Sequence, residues 1–133
     1  MTAELFIIGA GPAGISAAIE AARLGITSVV IEKSRTGGAV WCARRIDNFP
    51  PLSSISGKAL GTMFQKRFEK IGAAPIPREV KEITAGIRGG FDLLTDAGQK
   101  LNALSVIIAI GQENRLPEEL VPFGEHLAFP GEI

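Results

Sequence analysis

The fold of this 133-residue chain is decided by the stretch Leu5-Phe6-Ile7-Ile8-Gly9-Ala10-Gly11-Pro12-Ala13-Gly14. Its first four residues form an unbroken apolar run, which is typical of a strand buried in a parallel sheet. The next six read Gly-x-Gly-x-x-Gly, and residues 15–24 are strong helix formers that end before Gly25. Residues 27–31 form a second, β-branched strand, and Glu32 follows it. This order predicts a βαβ unit and an α/β fold built on a parallel sheet.

Each part of this unit has a physical role in a dinucleotide site. Gly9 permits the tight turn, Gly11 lets backbone N–H groups approach a pyrophosphate, and Gly14 lets the helix pack close to the first strand. The helix N-terminus carries a partial positive charge that favours phosphate. Glu32 has the spacing of an acid that accepts hydrogen bonds from ribose hydroxyls. The pattern therefore predicts a Rossmann-like domain that binds a dinucleotide, either FAD or NAD.

The charge near Glu32 bears on which dinucleotide the site prefers. A ribose 2′-phosphate would meet the like charge of Glu32, so the pattern favours FAD or NAD over NADP. Lys33 and Arg35 lie nearby in the sequence and soften that exclusion. The alternative explanation of the glycines is close helix packing without any ligand.

Beyond the first unit, residues 33–55 show no periodicity and are predicted to form an ordered, functional loop. Ser56 is a suitable N-cap for a helix over residues 57–71, which has an apolar face at helical spacing and ends before Gly72. Short strands are predicted at residues 79–83, 91–95 and 99–101, with glycine turns between them, as a small β-meander. A buried parallel strand is predicted at residues 104–110, before Gly111.

Composition limits the remaining possibilities. The 14 basic and 14 acidic side chains balance, which argues against binding to nucleic acid or to an anionic membrane. The single cysteine, Cys42, can form neither an intrachain disulfide nor a structural zinc site, and a reducing compartment fits best. The longest uncharged stretch, residues 5–19, is shorter than the roughly 20 residues that span a bilayer. We therefore expect a cytoplasmic protein.

The sequence resembles the flavin domain of the thioredoxin-reductase-like pyridine nucleotide-disulfide oxidoreductases over nearly its whole length. In that family the first domain binds FAD, a second binds NAD(P)H, and electrons pass through the flavin to a disulfide or another acceptor. Four features carry the resemblance: residues 8–14 with Glu32; Gly37-Gly38 followed by residues 46–50; the helix from Ser56 to Gly72 together with Val80; and residues 107–111.

The resemblance implies a set of cofactor-binding residues. Gly9, Gly11, Pro12, Ala13 and Gly14 would hold the FAD pyrophosphate, while Glu32, followed by Lys33, would hold the adenosine ribose. The ribityl and flavin side would be bordered by Gly37, Gly38 and Ala39, with Asn48 near the isoalloxazine. Val80 would contact adenine through its backbone, and Ala109 and Gly111 would close the site near the phosphates. The resemblance implies no catalytic residue and no metal ligand in this chain.

The sequence also departs from the family pattern. Ala39 stands where a flavin-contacting glutamine is usual, and Ile110 replaces a small hydroxyl residue. The chain has no Cys-x-x-Cys pair, so disulfide chemistry cannot reside in it. Residues 1–115 are predicted as the first segment of the FAD-binding domain, and residues 116–133 as an irregular tail or linker toward an NAD(P)H domain that the chain lacks.

Three functions stay open at this point. The first is the FAD-binding portion of a flavin oxidoreductase, active only when further chain or a partner supplies the NAD(P)H domain. The others are a non-catalytic nucleotide-binding or regulatory module and an inactive truncated fragment. An exposed apolar surface and self-association are expected if the chain stands alone. For Trp41 the hypotheses are stacking on flavin or covering apolar surface; Cys42 and His126 are interpreted as an unpaired thiol and a solvated histidine.

Overall fold

The computed structural model describes residues 1–87 and 89–112, and its elements follow the predicted order. Helix α1 follows the first strand, and helix α2 follows a short 3₁₀ helix in the segment predicted as an ordered loop. The elements are β1 (Thr2–Ile8), α1 (Pro12–Arg23), β2 (Ser28–Ile31), the 3₁₀ helix (Gly38–Cys42), α2 (Gly57–Lys70), β3 (Val80–Ala85), β4 (Phe91–Thr95) and β5 (Lys100–Ile108).

The strands form one five-stranded sheet in the order β2-β1-β5-β4-β3. Strand β1 pairs in parallel with both β2 and β5, so the βαβ unit lies at one side of the sheet. Strands β3, β4 and β5 pair in antiparallel fashion and form the predicted meander. The Rossmann-like α/β class is confirmed.

The two faces of β1 supply two separate cores, as the alternation of side chains in a strand requires. Leu5 and Ile7 pack with buried residues of α1, with Val30 of β2 and with Phe68 of α2. Phe6 and Ile8 belong to a second cluster, which they share with buried residues of β2, β4 and β5. This double burial explains the unbroken apolar run, and it fixes the end of β1 where the glycine turn begins.

Strand β5 corrects two predictions. The strands predicted at residues 99–101 and 104–110 are a single strand, Lys100–Ile108. Residues 100–103 of this strand pair with β4, and residues 102–108 pair with β1. The prediction that its second half is buried is wrong, because the side chain of Leu104 is 68% exposed and that of Ile108 is 63% exposed. An apolar run signals burial, but here no described residue covers these side chains.

Helix α2 confirms the predicted amphipathic helix and its cap. The hydroxyl of Ser56 accepts a hydrogen bond from the backbone N–H of Ala59 at 3.2 Å. Leu60 and Phe68 are buried, and Phe64 packs against the core. In residues 1–87 and 89–112, no helix is long and apolar enough to cross a membrane. The predicted boundary near residue 115, the tail 116–133 and His126 lie outside the described residues.

Candidate functional site

The glycine turn lies at the carboxyl end of β1, between the ends of the two strands beside it. Gly9 adopts a left-handed φ of 101°, and its N–H donates to the carbonyl of Ile31 at 2.7 Å. A Cβ at Gly9 would collide with the carbonyl oxygen of Ala109, and one at Gly14 would collide with the carbonyl of Gly9. Both positions therefore require glycine, because backbone segments approach each other at van der Waals distance.

Gly11 is glycine for a different reason. Its φ is −75°, which any residue adopts, and a Cβ there would have no described atom within 4 Å. It is the N-cap of α1, and no described side chain caps the helix at this end. Pro12 occupies the first helical position, followed by Ala13. The N–H groups of the first turn of α1 have no intrahelical partner. Because the space beside Gly11 is open, an anion could approach these donors.

Glu32 joins the end of β2 to this turn. One carboxylate oxygen accepts the N–H of Ala10 at 2.7 Å, and the other accepts the N–H of Ser34 at 2.8 Å and its hydroxyl at 3.1 Å. A carboxylate has about four acceptor positions, so three bonds leave room for a ligand hydroxyl. The half-buried Glu32 is thus held in a fixed orientation beside the glycine turn.

A cavity of about 600 Å³ opens along the ends of β1, β2 and β3. It is lined by six residues that the sequence reasoning placed at the site and by five that it did not. The first six are Gly9, Glu32, Lys33, Val80, Gly111 and Ile110, which lies within the predicted range 109–111, and the other five are Ile8, Ile31, Arg78, Glu79 and Gln112. Its size and its mixture of apolar floor and charged rim suit one half of a dinucleotide.

Glu79, which lines this cavity, interacts with two lysines. Its carboxylate lies 3.8 Å from the Lys33 ammonium and accepts a hydrogen bond from Lys81 at 2.6 Å. The hydrogen bond from Lys81 lowers the pKa of Glu79, and the carboxylate in turn raises the pKa of Lys81. Both groups are therefore charged at neutral pH.

The second glycine pair packs directly against the first. Gly37, with φ 104°, donates its N–H to the carbonyl of Ala10 at 2.7 Å. A Cβ at Gly38 would lie 3.1 Å from the Cα of Gly11, so the 3₁₀ helix begins beside the first glycine turn. Ala39 is exposed on that helix. Ala109 lies against Gly9 and donates its N–H to the carbonyl of Ile8 at 2.8 Å. The structure thus brings the two glycine motifs and residue 109 together.

Trp41 covers this region from the side of α2. A Cβ at Gly61 would lie 2.5 Å from its ring, and its indole N–H donates to the carbonyl of Thr36 at 2.8 Å. The Arg35 guanidinium stacks over the same ring, 4.3 Å from the centroid. These contacts favour the hypothesis that Trp41 covers apolar surface, here that of α2, and argue against stacking on flavin. Cys42, the next residue, is exposed.

Asn48 lies in a loop that is closed by backbone bridges and does not line the 600 Å³ cavity. Ile46 and Ile55 exchange two backbone hydrogen bonds, and Phe49 bridges to Leu52. Phe49 also makes an edge-to-face contact with Phe64 of α2, with ring centroids 5.7 Å apart. The exposed Asn48 is therefore carried by an anchored loop, as the prediction of an ordered loop required.

Arg78 and Glu79 line the 600 Å³ cavity, but the sequence did not predict them there. Both come immediately before Val80, which was predicted to contact adenine. Their place depends on a parallel bridge between Ile31 and Ile76, which brings the chain after α2 to the end of β2. It also missed Gly57, where a Cβ would collide with the carbonyl oxygens of Val40 and Ala43. A signal was present, because Gly57 and Gly61 are spaced four apart on one helix face.

Comparison with known proteins identifies the family. The sequence model described as pyridine nucleotide-disulphide oxidoreductase matches residues 3–126. The chain is 31% identical over 122 residues to the thioredoxin reductase of Mycoplasmopsis pulmonis, covering 92% of this chain and 40% of that protein. It is also 31% identical over 110 residues to the thioredoxin reductase of Bacillus subtilis, covering 83% of this chain and 34% of that one.

Solved structures agree with these relatives. The thioredoxin reductase of T. acidophilum superimposes with a TM-score of 0.77 and 32% identity, over 86% of this chain and 37% of the other. That of Streptococcus pyogenes gives 0.78 and 32%, over 88% and 38%. The chain thus spans about two fifths or less of the length of these relatives. It belongs to the pyridine nucleotide-disulphide oxidoreductase family, a flavin-binding family, and corresponds to the first, thioredoxin-reductase-like part of its members.

Proposed function

We propose that this chain binds FAD as the flavin domain of a pyridine-nucleotide-dependent oxidoreductase. The observation that carries the proposal is the uncapped start of α1. Gly11 faces open space there, directly beside Glu32, whose carboxylate is held by Ala10 and Ser34. Donors without partners and a fixed acceptor, side by side, match a pyrophosphate followed by a ribose.

The cofactor's parts are assigned along this surface. Gly9, Gly11, Pro12, Ala13 and Gly14 bind the pyrophosphate, and Glu32 with Lys33 binds the adenosine ribose in the 600 Å³ cavity, where Val80 meets adenine. Gly37, Gly38, Ala39 and Asn48 border the ribityl and flavin side, and Ala109 and Gly111 close the phosphate region. These residues bind and orient the cofactor, while bound FAD itself supplies the redox chemistry.

The oxidoreductase activity requires more than the 133 residues. The chain has no Cys-x-x-Cys pair, and it spans less than half the length of its relatives. We assign the NAD(P)H domain to further chain or to a partner chain, with electrons passing from NAD(P)H through FAD to an acceptor. The exposed side chains of β5, Leu104 and Ile108, are consistent with such a partner or with self-association. The single cysteine fits a cytoplasmic setting.

The test is the cofactor that accompanies the purified chain. Denatured protein is expected to release FAD, and the apo chain is expected to rebind FAD added in excess. Absence of both release and rebinding would refute the proposal. FAD binding supports the proposal whether or not the isolated chain reacts with NAD(P)H, because the NAD(P)H domain is assigned to further chain or to a partner chain.

A second function, a regulatory module that senses NAD or an adenine nucleotide, is favoured by the position of the cavity, which lies at the adenosine end of the site. Calorimetry with NAD, NADP, ADP and FAD separates the two. The sensor predicts that NAD or ADP binds at least as tightly as FAD, whereas a flavin domain binds FAD more tightly because the region of Gly37 and Asn48 adds contacts.

A further inference from the structure

The adenosine end of the site carries an unusual balance of charge. Four charged side chains line the 600 Å³ cavity: Glu32, Lys33, Arg78 and Glu79. Two are acidic and two are basic, and Arg78 makes no ion pair with another described residue. A phosphate on the ribose carries about −1.5 to −2 charge, so the two basic groups would attract it. Repulsion by Glu32 alone does not settle whether such a ligand enters.

Glu79 counteracts the basic groups. Its carboxylate lies within ion-pair distance of Lys33, at 3.8 Å, and it accepts a hydrogen bond from Lys81 at 2.6 Å. One acidic side chain thus bridges the end of β2 to the start of β3 and neutralises part of the positive field at the rim. Because Glu79 itself lines the cavity, its charge also acts directly on a ligand there.

The other candidate cation near Glu32 is held elsewhere. The Arg35 guanidinium lies 4.3 Å from the centre of the Trp41 ring. Arg35 lines a second cavity of about 250 Å³, which shares Glu32 with the larger one, and it is not among the residues that line the larger cavity. Lys33 and Arg78 are therefore the basic groups that line the larger cavity itself.

We propose that Glu79 is a specificity-determining residue, which acts with Glu32 to exclude a phosphorylated ribose from the adenosine end of the site. The inference rests on the proposed function, since it requires an adenosine ribose at Glu32. It assigns two different roles to the two acids: Glu32 binds the hydroxyls, and Glu79 offsets part of the charge of Lys33 and itself repels a 2′-phosphate.

The test compares two ligands that differ by one phosphate, ADP-ribose and 2′-phospho-ADP-ribose. Calorimetry at low ionic strength gives their dissociation constants for the wild-type chain, for Glu79→Gln and for Glu82→Gln. Glu82 is a suitable control because it is an exposed acid of β3 that does not line the cavity. Both variants remove the same charge and keep nearly the same shape, and thermal unfolding checks that each is folded.

The wild-type chain is expected to favour ADP-ribose, and Glu79→Gln to reduce that preference by about threefold or more, the scale of an exposed charge interaction. Glu82→Gln is expected to leave the preference unchanged. Because the effect is electrostatic, it should shrink strongly at about 1 M salt, where charges are screened beyond roughly 3 Å.

The outcomes separate the inference from the function on which it rests. If wild type binds neither ligand, and FAD does not bind either, the proposed function fails and this inference fails with it. If both ligands bind and Glu79→Gln leaves their ratio unchanged, only the inference is overturned. An equal change in Glu82→Gln, or a change in Glu79→Gln that persists at high salt, also overturns it.

Discussion

Replacing Gly11 by valine tests whether the turn at residue 11 receives the pyrophosphate. The backbone there has φ −75° and a Cβ would meet no described atom within 4 Å, so valine strains neither the backbone nor the packing. The cost of valine at an N-cap, compared with glycine, is about 1 kcal/mol or less of unfolding free energy. Gly11→Val is therefore expected to fold.

The effect on binding is expected to be much larger. The valine methyl groups would fill the space through which phosphate oxygens reach the N–H groups of the first turn of α1. Hydrogen bonds to a charged group contribute about 1.5–3 kcal/mol each, so the loss of two costs roughly 3–6 kcal/mol. That corresponds to a loss of about 10²- to 10⁴-fold in FAD affinity.

The assay is titration of the apo chain with FAD, followed by flavin fluorescence, alongside chemical unfolding of the same variant. Ala59→Val is the control, because Ala59 is exposed on α2 and receives the same valine side chain. Unchanged FAD affinity in Gly11→Val would refute the pyrophosphate assignment. Equal losses in the two variants would show that valine acts through the fold and not through the site.

Three further substitutions test other parts of the account. Glu32→Gln should weaken FAD binding about tenfold and lower the unfolding free energy by about 1 kcal/mol, because an amide nitrogen replaces one oxygen that accepts a hydrogen bond in the wild type. An unchanged dissociation constant for FAD in calorimetry would contradict this. Gly61→Val should destabilise the fold by about 1–3 kcal/mol, because a Cβ there lies 2.5 Å from the ring of Trp41; an unaltered denaturation midpoint would disprove that packing. Ile108→Lys should reduce self-association of the chain, because it places a charge on the exposed apolar side of β5. Light scattering at high concentration measures this, and a wild-type chain that is fully monomeric would contradict the expected association.

The βαβ unit was predictable because its signals are local. The spacing of Gly9, Gly11 and Gly14 and the distance to Glu32 are properties of consecutive residues, and the βαβ unit follows from them. The reason for each glycine needed the structure, since only there does Gly14 press against Gly9 while Gly11 faces open space.

The rest of the site depends on contacts between residues distant in the sequence. Glu79 approaches Lys33 only because the chain after α2 returns to the end of β2. No periodicity in residues 72–79 signals that return. The apolar half of β5 shows a different limit: the run around Ile108 predicts burial, but a hydrophobic pattern does not identify what covers it.

The central claim is that this chain binds FAD through the turn at Gly11 and the carboxylate of Glu32. The most direct measurement is the flavin absorbance of the purified chain, quantified after denaturation and again after the apo chain is dialysed against excess FAD. The account predicts a yellow protein that approaches one FAD per chain, with Gly11→Val remaining colourless. A folded wild-type chain that stays free of flavin at saturating FAD would contradict it.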